Sequence, residues 1–426
     1  MVGAALVGAA LPAAALDSNS GHSLEAPFEP RSASFVPVKP GVYIDPAELA
    51  AHSNTLPQPR RTLSAQPLAY SRSLGDHTTV VVLAAFSDIA HSAYGQSFYD
   101  DQLNYNGTSR ASARTWFTEN SLGNYTVYST VTTWVTLPQT QAYYDANTAQ
   151  MIVDAARAAD AQIDYSTFDD NSDGWVDNLV VIHSGGDQAA GCTPNCIWSH
   201  ASAFYGPVLD GKRIGYYATI ADFGHPRGDA LGVWIHEFGH LALDLPDLYD
   251  VYYNNDGLGI WDMMAGGSWY LNHYTAWCKE YLGWIEPFEP VFNLDTYTIY
   301  PSIDTARYNP VKITTNFSNE YFLVEMRYGS TSARYDTGIP YDGLLILHVD
   351  SNVIANTWEQ GSNTVEANTN HKGIDIEEVG AQDLDSTSGG GNYANDVWVG
   401  NALGFTPTST PNSNLYVNGG SYATGI

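Results

Sequence analysis

The sequence predicts a mixed α/β domain followed by a β-rich domain. The run TTVVVLAAF from Thr78 to Phe86 is apolar and β-branched, as in strands buried in a sheet, and a second such run spans Asn178 to His183. Helical patterns lie at Ser112–Glu119 and around Met151–Ala161. Alternating strands and helices of this kind indicate a mixed α/β layer, assigned to residues 76–287.

The sequence pattern changes from mixed α/β to β-rich at about residue 288. Short β-rich segments, Thr296–Tyr300, Glu320–Met326 and Leu344–Val349, are separated by Gly, Asn, Asp and Ser. Such spacing is typical of an all-β module. We therefore predict a β-rich, sandwich-like domain over residues 288–426.

The first 75 residues differ from the rest. Residues 1–16 are apolar and Ala-rich, which is typical of a secretory signal peptide. Residues 17–75 hold eight of the 21 prolines and little periodicity, which favours a propeptide or extended leader and hence a zymogen. Arg60-Arg61 is a plausible processing point, although such a pair is as often an ordinary surface feature. The leader has no cysteine, so latency would come from a carboxylate or from steric cover.

Composition excludes several classes of function. The net charge of −29 makes nucleic acid an unlikely partner. Beyond the signal, no run is long enough for a transmembrane helix, so we expect no integral membrane anchor.

Cys192 and Cys196 flank Thr-Pro-Asn and are expected to form a small disulfide loop, which suits an extracellular protein. The alternative is three unrelated thiols.

The chemical signal lies in HEFGH, from His236 to His240. Positions four apart share a helix face, so both imidazoles can reach one zinc ion. Glu237 lies beside them, where it can deprotonate an activated water rather than ligate the metal. The pentapeptide also occurs by chance on amphipathic helices. Here its neighbours are apolar, and burying these polar groups without a metal would be costly.

These motifs resemble the immune inhibitor A-like metallopeptidases, a branch of the HExxH peptidases related to the metzincins. The likeness rests on HEFGH, LPDLYD from Leu245, WDMMAGGSW from Trp261, TAWCKEYLGW from Thr275 and, upstream, WFTENSLGNYTV from Trp116. GLLILHVD from Gly343 extends it into the β-rich part. The resemblance implies a zincin-like catalytic domain with an active-site helix. It also implies a methionine turn, in which Met264 matches the WDxM pattern and Met263 is expected to fill the core.

The resemblance further implies an acidic third zinc ligand six residues after the second histidine, with a glycine midway. In this chain Leu243 stands at the glycine position and Asp247 lies seven residues after His240. Asp244 would sit about 6 Å along the helix axis and could not turn back. Pro246 should end the helix and let Asp247 return to the metal. Asp247 is the predicted ligand, and Glu280 is the alternative.

A second metal site is predicted in an Asp-rich loop with the pattern D-x-N-x-D-G-x-x-D. The alternative is an ordinary Asx-rich turn, because Val180 occupies the place of the bidentate glutamate of calcium loops. The predicted calcium ligands are Asp169, Asn171, Asp173, Trp175 and Asp177.

The sequence therefore predicts a secreted zinc endopeptidase that hydrolyses proteins or peptides by metal-activated water, with Glu237 as general base. Tyr270 and Tyr274 follow the methionine turn and are candidate donors to the developing oxyanion. Two rival functions remain. One is a non-catalytic adhesion or carbohydrate-binding protein that keeps the fold and a structural metal, and the other is an esterase or amidase using the same zinc water.

Overall fold

A six-stranded sheet forms the centre of the first half of the chain. The computed structural model describes residues 73–223, 231–290 and 296–416, apart from gaps at 316, 318, 330–332, 380–383, 387–392, 394–395 and 400–403, together with the backbone of strands at 36–39 and 42–44. Within these residues the strands are β1 Val36–Lys39, β2 Val42–Ile44, β3 Gly75–Ala85, β4 Tyr125–Val131, β5 Val135–Thr136, β6 Leu179–Gly186, β7 His200–Ala203, β8 Val208–Leu209, β9 Lys212–Arg213, β10 Tyr216–Phe223, β11 Val311–Thr314, β12 Glu320–Arg327, β13 Gly343–Asp350 and β14 Ile374–Ile376.

The sheet has the order β4-β3-β6-β10-β7, with β5 also paired to β3. Its strands run parallel except β7, which pairs antiparallel with β10 at one edge. The central strands are apolar on both faces, as expected when helices cover both sides of a parallel sheet. This confirms the predicted mixed α/β layer and its two buried strands.

Helices pack on both faces of the sheet. On one face, Val80, Val82 and Val181 pack with Met151 and Ile152 of the amphipathic helix α4. On the other face, Val81 and Ile182 belong to a core that includes Trp234 and Phe238 of the metal-site helix α5. The helices are α1 Gln96–Asn104, α2 Ala113–Asn120, α3 Gln141–Ala146, α4 Thr148–Ala159, α5 Leu231–Leu243, α6 Ala276–Tyr281 and α7 Ser351–Asn356.

A four-stranded antiparallel sheet, β11-β12-β13-β14, forms the second half of the chain. Two of its predicted strands are present as β12 and β13. The predicted strand at Thr296–Tyr300 is wrong: its residues adopt no regular strand. The Asn309 side chain accepts from the Tyr300 amide and donates to the Thr298 carbonyl, so backbone groups there bond to a side chain instead of a neighbouring strand. The region is also not purely β, because it contains α7.

The two sheets share one apolar core. Leu323, Leu345 and Leu347 of the second sheet belong to the same cluster as Trp234 of α5. Arg327 of β12 is fully buried, and its Nη1 donates to the Trp261 carbonyl at 2.6 Å. Residues on both sides of position 287 are thus packed together, and the predicted division into domains there stays a prediction, as does the sandwich-like arrangement.

Smaller features complete the fold. Cys192 and Cys196 form the predicted disulfide, and Cys278 is a buried free thiol. Strands β1 and β2 pair with each other, and β2 contacts the edge strand β7. Apart from residues 73–75, the rest of the predicted signal and leader, including Arg60-Arg61, lies outside the described residues. Within the described residues, no helix has the length and apolar character needed to cross a membrane.

Candidate metal centre

Helix α5 carries the polar residues of the site on an otherwise apolar helix. His236, Glu237 and His240 are each less than 10% exposed, and their helix neighbours Trp234, Ile235 and Phe238 are buried in the core. The helix is held by this packing, because apolar residues surround the three polar ones on both sides. The imidazoles therefore occupy fixed positions one turn apart.

A left-handed residue ends the helix and returns the chain to the histidines. The structure places Asp244, not Leu243, in the left-handed conformation, with φ of 58°. Aspartate tolerates this conformation better than most residues other than glycine, so it serves the turn that the family's glycine is expected to make. The helix ends at Leu243, before Pro246, and the chain brings Asp247 back beside His240.

Three ligand atoms converge from these segments. The Nε2 atoms of His236 and His240 are 3.2 Å apart, and each lies 3.1 Å from Oδ1 of Asp247. In the described residues, no other three His, Cys, Asp or Glu side chains approach one another in this way. An ion about 2.0–2.1 Å from each atom would have ligand–ion–ligand angles of roughly 100°, close to those of a tetrahedral site with one open position.

The outer ring nitrogens fix which atoms face the centre. His236 Nδ1 donates to the Met263 carbonyl at 2.9 Å, and His240 Nδ1 donates to the Leu245 carbonyl at 2.7 Å. With Nδ1 protonated, a neutral ring presents the Nε2 lone pair to the centre. Two lone pairs and a carboxylate oxygen within about 3 Å of one another repel unless a cation lies between them. The donor set therefore fits a metal ion.

The pKa shifts of the three side chains are also consistent with a cation at this centre. Burial lowers the pKa of both histidines, but the Asp247 carboxylate more than offsets it and raises both pKa values above the ordinary range. Burial raises the pKa of Asp247, yet the two histidines hold it well below its usual range. The centre thus stabilises positive charge, as a metal site must.

Glu237 lies beside this centre rather than in it. Burial, followed by the negative charges of Asp247 and Asp187, raises the pKa of Glu237 to about 8, while His236 and a backbone hydrogen bond from Ala201 oppose the rise. Ala201 belongs to the edge strand β7. The glutamate therefore lies between the metal centre and the edge strand β7.

The turn from Trp261 to Met264 lies beneath helix α5. A Cβ placed on Gly239 would lie 2.8 Å from the sulfur of Met264, so this side chain packs directly against the helix between the histidines. Met263 is also fully buried, and its carbonyl accepts from His236. Asp262 holds the turn, because its carboxylate accepts from the amides of Met264 and Thr275 at 2.7 and 2.6 Å.

Other predicted site residues lie elsewhere. Glu280 does not belong to the ligand group, and its Oε1 accepts from Lys312 Nζ at 2.7 Å. Tyr274 is fully buried against Trp116 and Trp284, so it is not placed as an oxyanion donor in an open cleft. Tyr270 is partly buried, and its ring packs on Gly338.

The predicted calcium loop is closed by its own hydrogen bonds. Asp169 accepts from the amides of Asp173 and Gly174 and from Lys212 Nζ, the last at 2.6 Å. Asp173 accepts from the Trp175 amide, and Asn171 and Asp177 bond to each other at 3.0 Å. An ammonium group thus already neutralises one predicted ligand, and calcium at this loop stays a prediction.

Sequence reasoning missed the residues that orient the ligands. The carbonyls of Met263 and Leu245 carry no sequence signal, because any residue offers one. Asn363 contacts Asp247 from 116 positions away, and no spacing rule connects them. Asp262, Met263 and Leu245 lie inside the quoted motifs WDMMAGGSW and LPDLYD, but the motifs did not indicate that these residues orient the ligands.

Comparison with known proteins agrees with this geometry. Residues 83–282 match the family model described as immune inhibitor A peptidase M6, catalytic domain. The match confirms the resemblance, and it lies within the predicted catalytic range of residues 76–287.

Two curated proteins are similar to about half of this chain. One is Immune inhibitor A of Bacillus thuringiensis subsp. alesti, 30% identical over 270 residues that cover 49% of this chain and 39% of that protein. Another is Pre-pro-metalloprotease PrtV of Vibrio cholerae serotype O1 (strain M66-2), 26% identical over 292 residues that cover 54% of this chain and 32% of that protein. This chain thus spans about two fifths or less of these relatives' length.

Proposed function

We propose that this chain is a secreted, zinc-dependent endopeptidase that hydrolyses peptide bonds of proteins. The convergence of His236 Nε2, His240 Nε2 and Asp247 Oδ1 carries the proposal. The match to the M6 family model supports a metallopeptidase, and the printed name of the Vibrio relative is that of a metalloprotease. In this proposal the three residues hold zinc, and a zincin-like arrangement of helix and methionine turn supports them.

Zinc bound at these three ligands would polarise a scissile carbonyl and lower the pKa of a water molecule to around 7. The side chains of this chain then move the protons. Glu237 takes a proton from the attacking water, because a neighbouring cation favours its carboxylate form despite burial. The same oxygen carries the proton to the leaving amine. Met264 fills the space beneath the histidines and keeps them in place.

The proposed domain organisation follows the packing. Residues 76–287 contain the M6 match and the metal centre, and residues 288–426 contain the antiparallel sheet. We propose that the second part supports the first, since both contribute to one core. Secretion is proposed from the Ala-rich first segment, the disulfide loop and the pre-pro name of the Vibrio relative.

We also propose that residues 17–75 act as a propeptide by steric cover. Strand β2 of this segment contacts β7, the edge strand that lies beside Glu237. Removing this segment up to residue 72, which leaves Ser73 and strand β3 intact, is then expected to increase the rate of casein hydrolysis. Equal rates with and without the segment would contradict the proposed cover.

The experiment that tests the function combines turnover with metal content. Glu237→Gln keeps the shape of the side chain but removes its basicity, so the variant is expected to retain zinc and lose casein hydrolysis by 100-fold or more, an order-of-magnitude estimate for a lost general base. Glu286→Gln, an exposed glutamate beyond α6, is the matched control. The control is expected to behave as wild type.

The outcomes separate the rival functions. A wild-type protein that contains zinc but never cleaves casein would favour the non-catalytic adhesion protein. Cleavage of acyl esters without casein hydrolysis would favour an esterase or amidase. Activity that survives complete zinc removal would reject the mechanism.

A further inference from the structure

The side chain of Asn363 makes two hydrogen bonds to Asp247. Its Oδ1 accepts from the Asp247 backbone amide at 3.1 Å, and its Nδ2 donates to Asp247 Oδ2. Oδ1 of Asp247, the other carboxylate oxygen, faces both histidines. One amide group therefore fixes both the backbone and the carboxylate of the same residue.

We propose that Asn363 positions Asp247 as the third zinc ligand, so that the β-rich region completes the metal site. This inference rests on the proposed function. Partners behind a ligand set its orientation, and their loss typically weakens metal binding by about 10- to 100-fold. Asn363 is a positioning residue, because it touches the ligand and not the reacting atoms.

The chemistry of the pair requires an amide at position 363. A backbone N–H only donates, so the atom facing it must be the carbonyl oxygen of Asn363. The NH₂ group then necessarily faces the carboxylate of Asp247. An aspartate at position 363 would keep the first bond and set two carboxylates against each other in place of the second.

The segment that carries Asn363 is anchored on both sides. Trp358 is 1% exposed, and its Nε1 donates to the Asp244 carbonyl at 3.2 Å. After Asn363, the Glu366 carbonyl accepts from Asn255 Nδ2 at 2.8 Å. Asp244 and Asn255 flank Asp247 in the chain, so the segment is tied to the same loop that it orients. These two hydrogen bonds keep Asn363 next to Asp247.

Zinc affinity tests the inference directly. Zinc dissociation constants are measured on the full chain by competition with a chelating dye, with no proteolysis in the assay. Asn363→Asp is expected to bind zinc about 10- to 100-fold more weakly than wild type. Asn370→Asp, an exposed asparagine that follows on the same loop, introduces the same charge and is expected to change affinity by less than about twofold.

A second variant covers the case in which Asn363→Asp does not fold. Asn363→Ala removes both hydrogen bonds without adding charge, and circular dichroism reports its fold in the absence of metal. In cobalt-substituted protein, the visible absorption bands of Asn363→Ala are expected to differ from wild type, because Asp247 is free to reorient.

The outcomes distinguish the inference from the function on which it rests. Wild-type zinc affinity and an unchanged cobalt spectrum in Asn363→Ala would overturn the positioning role. A wild-type protein that binds no zinc would instead overturn the proposed function.

Discussion

Gly239 lies between the two histidines, where helix α5 passes over the methionine turn. A Cβ at this position would lie 2.6 Å from the hydroxyl oxygen of Tyr274 and 2.8 Å from Met264 Sδ. Both distances are shorter than an ordinary van der Waals contact, so Gly239→Ala forces the helix or its floor to move. We expect this substitution to weaken both stability and zinc binding.

Two opposing effects determine the size of the change. Alanine stabilises a helix interior by about 1 kcal/mol relative to glycine. Overpacking a well-packed core costs about 1–3 kcal/mol. We therefore expect Gly239→Ala to lower the free energy of unfolding by about 0–2 kcal/mol. The nearest obstacle is one hydroxyl, and this hydroxyl is buried without a hydrogen-bond partner among the described residues.

Tyr274→Phe removes that obstacle. We expect the variant alone to be nearly neutral, because no hydrogen bond is lost. Added to Gly239→Ala, it should recover about 1 kcal/mol, since Met264 is flexible enough to adjust. Urea unfolding of the four proteins in this cycle measures the coupling. Strict additivity of the two substitutions would refute the packing argument.

Gly232 on the same helix provides the contrast. A Cβ there would lie 2.0 Å from the backbone carbonyl oxygen of Ser268, which no side-chain truncation can remove. Gly232→Ala is therefore expected to cost more than Gly239→Ala, and Tyr274→Phe should not rescue it. Rescue at both glycines would indicate a general effect of Tyr274→Phe instead of local relief.

Three further predictions concern charges in the fold. Arg327→Met removes the guanidinium group that lies 2.8 Å from the fully buried Asp336, and urea unfolding should show a loss of about 3–5 kcal/mol. Arg307→Met at the exposed pair with Asp304 is the control and should cost less than about 1 kcal/mol. Equal losses in the two variants would contradict this prediction. Burial lowers the pKa of His348, but Glu320 and Glu377 outweigh it and raise the pKa to about 9. The stability that this histidine contributes is therefore full below its unfolded pKa of about 6.5 and is lost as the pH rises through about 9, a change on the order of 3 kcal/mol. Unfolding measured across this pH range should show the loss in wild type, and His348→Gln should abolish it. Lys212→Met removes the ammonium group beside Asp169 and should tighten calcium binding by about tenfold in calorimetric titrations. If neither wild type nor this variant binds calcium, the loop is an ordinary Asx-rich turn.

The sequence predicted the parts of the fold that depend on local patterns. Strand β3 and helix α5 were found because uninterrupted apolar runs and helical spacing appear within a few residues. The two histidines and Glu237 were found because one helical turn brings residues four apart together. Asp247 followed from a proline that stops the helix and from the short distance back to His240.

The remaining features depend on contacts that local patterns do not encode. The segment Thr296–Tyr300 has strand-like composition, but Asn309 takes two of its backbone hydrogen bonds. The left-handed residue after the helix, Asp244, carries no clear sequence signal, because Leu243 stands at the glycine position of the family pattern. Asn363 could not be found, since its partner is remote in sequence and its residue type is common on surfaces.

The long separation between Asp247 and Asn363 has a consequence for biosynthesis. During synthesis the HEFGH helix and Asp247 leave the ribosome well before Asn363, which follows Asp247 by 116 residues. A nascent chain therefore carries both histidines before it can present a fully oriented third ligand. With the positioning role proposed for Asn363, the third ligand is held in place only after the segment that carries Asn363 has been made.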